Sequence, residues 1–191
     1  MSLFPQSARL PLVAMIMVLG ACSEAPKENV PANTANEAAA APAPALAVLK
    51  DASGKDVGTA QFVEEDGGVS VEVSAVGITP GVHGTHVHMV GKCDAPDFKT
   101  AEGHWNPTGH QHGLENPQGS HKGDLPNMDV AADGTGTVRF MIPGAVLSGG
   151  ENALLDSDGA ALVIHAGPDD MKSDPAGNSG DRVACGVILG A

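Results

Sequence analysis

The clearest alternation of apolar and polar residues along the chain lies in Val69-Ser70-Val71-Glu72-Val73-Ser74. Side chains alternate between the two faces of a strand, so this pattern predicts a half-buried antiparallel strand. Weaker or more apolar runs predict further strands at 59–64, 137–142, 161–166 and 183–189. Turn signals such as Asp66-Gly67-Gly68 separate them. Several short strands with such turns favour a β-sandwich or a β-barrel.

Two long segments, residues 91–128 and residues 167–181, interrupt this series of strands. Neither contains a convincing strand, and long irregular loops inside a compact domain are usually functional or disordered. The first segment contains His104, His110, His112 and His121, half of the chain's eight histidines. That concentration favours a functional loop.

Composition and charge exclude some classes of function. The chain has 191 residues, with 25 Gly, 14 Pro and a formal net charge of −13 at pH 7. Phosphate contacts need clustered Lys and Arg, whereas the ten basic residues of this chain are scattered singly. We therefore expect no nucleic-acid partner.

The N-terminus predicts export. Residues 1–21 combine a positive charge at Arg9, an apolar run too short to cross a bilayer and small residues at the end, which indicates a signal peptide. The ending Leu19-Gly20-Ala21-Cys22 resembles the lipobox of bacterial lipoproteins, which implies lipid attachment to the Cys22 thiol. An ordinary signal peptide with an incidental Cys22 is the alternative. Residues 22–45 are rich in Ala and Pro and predict a flexible tether, which leaves 46–191 as the folded domain.

An exported, lipidated chain belongs in the bacterial periplasm or cell envelope, with the lipid on Cys22 as its only membrane contact. Ser23 stands where an Asp often retains lipoproteins in the inner membrane, which favours the outer membrane. Of the three cysteines, Cys93 and Cys185 then remain. Two thiols in an exported protein most often form one disulfide. Binding of a soft metal by both thiols is the alternative, but the short Cys-x-x-Cys spacing is missing.

His86 and His88 lie two residues apart in what reads as a buried strand, so both imidazoles face the same side. Two polar imidazoles side by side are unfavourable in an apolar core. A bound metal ion would explain the pair, provided that other residues supply further ligands. Imidazole is the commonest ligand for copper and zinc, and carboxylate is an acceptable fourth ligand for zinc. Further candidates are the histidines of the first long segment, Asp124 and His165. Spacing alone does not assign them, and core histidines bound to backbone carbonyls remain the alternative.

Five segments, in order, carry a more specific resemblance: GVHGTHVHMVGKC, HWNP, HKGDLPN, VIHAGPDD and GDRVACGVIL. They resemble the successive motifs of the copper/zinc superoxide dismutases and cover nearly all of 46–191. The resemblance implies an all-β fold, an eight-stranded Greek-key β-barrel of the sandwich type with two long functional loops. Two positions depart from the family pattern. Trp105 stands where Phe is usual, and Pro126 gives GDLPN rather than GDLGN, as in many bacterial members.

The same resemblance implies one copper and one zinc per subunit. Copper would be held by His86, His88, His104 and His165. Zinc would be held by His104, His112, His121 and Asp124, so that His104 bridges the two ions. Asp169 matches a carboxylate that links a copper histidine to a zinc histidine, although Asp170 stands beside it.

Other residues match further positions of the family. Arg182 matches the arginine beside copper that docks the anionic substrate, and it would act in catalysis together with His104. Cys93 and Cys185 fall where the family has its intramolecular disulfide. His83 matches a structural histidine, whereas His110 could replace His112 in a shifted loop. In the second long segment only Lys172 is a candidate for steering the substrate.

The activity implied is the dismutation of superoxide to O₂ and hydrogen peroxide, which would protect the cell envelope. A monomer and a homodimer both fit the resemblance. The alternatives are a non-catalytic copper- or zinc-holding lipoprotein, a metallochaperone on the same barrel, and a purely structural sandwich domain. Such proteins could lose Arg182, the bridging His104 or a copper histidine. All are present, which favours the enzyme.

Overall fold

The computed structural model describes residues 43–190. The predicted signal peptide, Cys22 and most of the predicted tether lie outside these residues. Within them no helix has the length and the apolar character needed to cross a membrane. The described strands are β1 (Ala45–Asp51), β2 (Asp56–Glu65), β3 (Gly68–Ala75), β4 (Gly81–His83), β5 (Thr85–His88), β6 (Met128–Val130), β7 (Gly136–Pro143), β8 (Ala161–His165), β9 (Arg182–Val187) and β10 (Leu189–Gly190). One 3₁₀ turn, Lys99–Ala101, lies in the segment between β5 and β6.

The strands form one antiparallel sheet that nearly closes on itself. Neighbouring strands follow the order β4-β6-β7-β3-β2-β1-β9-β8-β5, with β10 paired to β1. The two ends of this order, β4 and β5, are consecutive in the chain and are separated only by Gly84. The sheet is therefore an almost closed barrel, and its non-consecutive neighbours give the Greek-key connectivity that the resemblance implied.

All five strands predicted from the alternation of residues are confirmed, in β2, β3, β7, β8 and the pair β9 and β10. Ten strands are described in residues 43–190 rather than eight, because the extended runs 81–88 and 182–190 are each interrupted by one residue. One break lies at Gly84, whose N–H donates to the carbonyl of Gly167. The other lies at Ile188, whose N–H donates to the carbonyl of Ala160.

The barrel core and the loops bury opposite faces of β5 and β8. Every residue of both strands is buried, whereas β1 alternates between buried and exposed positions. Val87 packs in the main hydrophobic core. His86 and His88 face the opposite side because of the strand alternation, and the long loops cover them. This double cover is the reason that imidazoles are fully buried at this edge of the barrel.

A disulfide joins the first long loop to β9. Cys93 and Cys185 are bonded, which confirms the predicted pairing. The bridge packs in a second small apolar cluster with Phe98, Ala101 and Val163. It therefore fixes the loop beside the strands that carry the histidines.

Candidate metal centre

Strand pairing brings three of the predicted copper ligands together. His86 and His88 lie on β5, which pairs antiparallel with β8, and His165 ends β8 beside Arg182 of β9. The first long loop folds back along β5, so that His104 lies opposite His88 and Asp124 lies opposite His86. Backbone hydrogen bonds of Val87 hold this arrangement, with Gly123 on one side and Trp105 on the other. The two strand histidines thus meet the loop ligands through main-chain register.

The four predicted copper ligands each have one ring nitrogen held and one free. His88 Nδ1 donates to the carbonyl of Glu102 at 2.7 Å, and His165 Nδ1 donates to that of Gly180 at 3.1 Å. The free, buried atoms are His86 Nδ1, His88 Nε2, His104 Nε2 and His165 Nε2. Across residues 43–190 these are the only buried side-chain N or O atoms without a hydrogen-bond partner. Buried polar atoms rarely lack a partner, and a shared metal ion would provide one.

The four residues can offer ligand atoms that all lie within 4.8 Å of one another. Burial lowers the pKa of His86 to about 3 and that of His165 to about 4. Burial, assisted by the nearby His104 and Arg182, holds the pKa of His88 well below its ordinary value. These imidazoles are therefore neutral at pH 7 and present lone pairs, which suits copper coordination.

The predicted zinc ligands converge on one carboxylate oxygen. Asp124 Oδ1 lies 2.9 Å from His104 Nδ1, 3.0 Å from His112 Nδ1 and 3.3 Å from His121 Nδ1. Tetrahedral zinc with bonds of about 2.0–2.1 Å needs ligand atoms about 3.3–3.4 Å apart, so the set fits with small adjustments. The other oxygen, Oδ2, accepts the backbone N–H groups of Gly113 at 2.8 Å and His121 at 3.0 Å. These two bonds fix the orientation of the carboxylate.

The electrostatics of this set favour a cation. Burial acts to raise the pKa of Asp124, but hydrogen bonds from His104, His112 and His121 outweigh it and lower that pKa. Burial likewise acts to lower the pKa of His112, yet Asp124 and Asp169 raise it to about 9. Two ionised carboxylates therefore surround His112. A divalent cation would be stabilised at this position.

His104 belongs to both sets. Its Nδ1 lies among the zinc candidates, whereas its Nε2 lies among the copper candidates. One imidazole therefore presents one ring nitrogen to each group.

Asp169 links the two groups from the second long loop. Its Oδ2 accepts a hydrogen bond from His86 Nε2 at 2.7 Å, and its Oδ1 accepts one from His112 Nε2 at 3.0 Å. A Cβ at Gly177 would lie 1.7 Å from Asp169 Oδ1, so only glycine allows the loop to close over this carboxylate. Asp170 is exposed instead and binds groups of its own loop, including Ser173 N–H at 2.8 Å.

Arg182 is held beside the copper candidates by backbone carbonyls. Its Nη1 donates to Phe98 at 2.7 Å and its Nη2 donates to Glu102 at 2.6 Å. Glu102 thus serves both Arg182 and His88 through one carbonyl oxygen. Arg182 also lines a cavity of about 430 Å³ together with Pro96, Asp97, Lys99, Gly180 and Asp181. The roles of the Glu102 and Gly180 carbonyls could not be predicted from the sequence, because every residue has a backbone carbonyl.

The remaining predicted residues lie outside both sets. His83 is buried with its ring nitrogens 2.6 Å from the His165 carbonyl and 2.8 Å from that of Thr79. His110 is exposed, and His112 rather than His110 lies beside Asp124. Lys172 is paired with Glu115 at 2.9 Å, which compensates its charge.

Comparisons with known proteins agree with this geometry. Residues 57–188 match the family model for copper/zinc superoxide dismutase. The chain is 47% identical over 146 residues to Cu-Zn superoxide dismutase 2 of Aquifex aeolicus, covering 75% of this chain and 85% of that protein. It is 46% identical over 147 residues to the Cu-Zn enzyme of Caulobacter vibrioides, covering 75% and 84%.

A solved structure is similar as well. It is a double mutant of a superoxide-dismutase-like protein from Bacillus subtilis, with a TM-score of 0.72 and 42% identity. The match covers 76% of this chain and 97% of that one. The chain therefore belongs to the copper/zinc superoxide dismutase family of enzymes, whose cofactors are copper and zinc.

Proposed function

We propose that this protein dismutates superoxide to O₂ and hydrogen peroxide at a copper site joined to a zinc site through His104. The observation that carries the proposal is the position of this imidazole. Its buried Nε2 has no hydrogen-bond partner on the copper side, whereas its Nδ1 lies 2.9 Å from Asp124 Oδ1 on the zinc side. His86, His88 and His165 would complete the copper site, and His112, His121 and Asp124 the zinc site.

The net reaction consumes two superoxide anions and two protons and yields one O₂ and one hydrogen peroxide. Copper, when bound, would supply the one-electron oxidation and reduction. Zinc cannot do so, because it has no accessible second oxidation state. The protein must then supply a proton beside the reacting anion. His104 Nε2 would be suited to hold that proton whenever it is not bound to copper, because it is buried and no other acceptor or donor of the described residues competes for it.

Arg182 would dock the anion. Two of its N–H groups are fixed on carbonyls. The remaining guanidinium donors have no hydrogen-bond partner among residues 43–190 and would bind an oxyanion in the adjoining cavity. The net charge of −13 opposes an anionic substrate. Charges beyond about 8–10 Å are largely screened at physiological salt, so the distant carboxylates act only weakly on an anion beside the guanidinium.

The same proposal includes export and a lipid anchor at Cys22, with superoxide removal in the cell envelope. The support is the signal-peptide pattern of residues 1–21 and the lipobox-like ending at Cys22. A Cys22→Ser variant should leave the membrane fraction of the producing bacterium. Retention of that variant in the membrane would contradict the anchor.

The experiment is a superoxide-removal assay on the exported protein after loading with copper and zinc. We expect activity in the unmodified protein and in a His110→Ala control, because His110 is exposed and outside both sets. A His88→Ala variant should lose copper and activity. If both sites fill and no superoxide is removed, the protein is a metal-binding protein rather than a dismutase.

A further inference from the structure

The outer ring nitrogen of a metal-binding histidine needs a partner. When Nδ1 binds a metal, the proton sits on Nε2, and a carboxylate that accepts it orients the ring. Asp169 does this for His112, since its Oδ1 lies 3.0 Å from His112 Nε2. The outer nitrogen of His121 faces a different acid of the same loop, Asp174, at 3.9 Å.

We propose that Asp174 is a positioning residue of the zinc site, which orients His112 through its backbone and His121 through its ring. The inference rests on the zinc site of the proposed function and extends it to a residue that the sequence motifs did not single out.

One carboxylate oxygen carries both contacts. Asp174 Oδ1 accepts the backbone N–H of His112 at 2.6 Å and lies 3.9 Å from His121 Nε2. The first contact is a short hydrogen bond to a carboxylate oxygen, whereas the second is longer than a hydrogen bond and is an electrostatic contact between the carboxylate and the ring. Asp174 therefore reaches two of the three zinc histidines from outside the cluster. Asp124 Oδ1 reaches the same two from inside, at 3.0 and 3.3 Å.

Asp174 is not needed to hold the two long loops together. The Glu115 N–H donates to the Met171 carbonyl at 3.0 Å, and the Asn116 side chain donates to the Lys172 carbonyl at 3.2 Å. The Lys172 and Glu115 side chains add an ion pair at 2.9 Å. None of these contacts involves Asp174, so an effect of its replacement on zinc binding would report on orientation of the ligands.

The expected effect lies at the low end of what such partners contribute. The Asp174 side chain is 55% exposed, so water screens its charge. Loss of an outer partner typically weakens metal binding about 10- to 100-fold, and we expect about 10-fold for Asp174→Ala. Asp174→Asn keeps an oxygen for the His112 N–H but loses the charge toward His121. Its effect should therefore be smaller than that of Asp174→Ala.

The test measures the zinc dissociation constant of the full chain by competition with a chromogenic chelator. The matched control is Glu115→Gln, which removes one carboxylate between the same two loops without touching a histidine. Its zinc affinity should equal that of the unmodified protein. Cobalt(II) bound in place of zinc gives a second readout, because its visible spectrum follows ligand geometry and should shift in Asp174→Ala alone.

Equal zinc affinity and equal cobalt spectra in Asp174→Ala, Asp174→Asn and the unmodified protein would overturn the inference. Failure of the proposed function is a separate result. It would appear as an unmodified protein that binds both metals but removes no superoxide, whatever the variants do. A chain that binds no zinc at all would overturn both.

Discussion

Replacing Asp169 with asparagine should weaken copper binding more than zinc binding. The carboxylate accepts three N–H groups. His112 Nε2–H and the Met171 backbone N–H both reach Oδ1, at 3.0 and 2.6 Å, whereas His86 Nε2–H reaches Oδ2 at 2.7 Å. An asparagine has only one oxygen. Two donors require it at the Oδ1 position, so its NH₂ group faces the N–H of His86.

The magnitude follows from that mismatch. Asp169 and His86 are both buried, so the His86 N–H is left without an acceptor and without water. A buried, unpaired donor costs about 1–3 kcal/mol. At about 1.4 kcal/mol per factor of ten, copper affinity should fall about 5- to 150-fold. The zinc side keeps its hydrogen bond to His112 and loses only the negative charge.

The assay is a pair of competition titrations, one for each metal, on the full chain. Asp170→Asn is the matched control, since it makes the same chemical change on the neighbouring, exposed residue and touches no metal-site histidine. The control should bind both metals as the unmodified protein does. If Asp169→Asn lost zinc affinity and kept its copper affinity, the hydrogen-bond assignment around Asp169 would be wrong.

Three further predictions concern docking, stability and pH. Arg182→Ala should keep both metals but lower kcat/KM for superoxide about 10-fold or more, as stopped-flow kinetics would measure, and unchanged catalysis would exclude a docking role. Replacing Cys93 and Cys185 together by serine should lower the free energy of unfolding by up to about 4–5 kcal/mol, because the disulfide spans 92 residues. Urea titrations would measure this loss, and an unchanged midpoint of urea unfolding would contradict the prediction. The metal-free chain should lose stability as pH falls from 6.5 toward 4. The pKa values of His86 and His165 drop to about 3 and about 4 on folding, so the unfolded chain binds more protons in that window. Each of these two histidines should lower the free energy of unfolding by up to about 1.4 kcal/mol per pH unit, as urea titrations at several pH values would measure. A free energy of unfolding that does not change over this pH range would refute the prediction.

Strands were predictable where apolar and polar residues alternate, and not where both faces of a strand carry apolar residues. Residues 69–74 alternate between apolar and polar side chains, and they lie within strand β3. β1 was not predicted because its small residues, Ala45 and Ala47, face the core, whereas Leu46 and Val48 are 50% and 48% exposed. Apolar residues then occur on both faces, and the period of two disappears from the sequence.

The site was predictable where its chemistry is carried by side chains in recognisable motifs. The spacing of His86 and His88 indicated a shared face, and the ordered motifs indicated the other candidate ligands. The partners of the outer ring nitrogens were not predictable, because the Glu102 and Gly180 carbonyls have no residue-specific signal. The role of Asp174 was not predictable either, since its contact with His112, 62 residues away in sequence, arises only from the packing of the two loops.

The most direct test of the central claim is an anomalous-scattering crystal structure of the copper- and zinc-loaded protein, with data at both absorption edges. We predict two different ions on opposite sides of the His104 ring, about 6 Å apart. That separation is the sum of a ring-nitrogen distance of about 2.2 Å and two bonds of about 2.0 Å. Ions more than about 8 Å apart, with no ligand in common, would contradict the account.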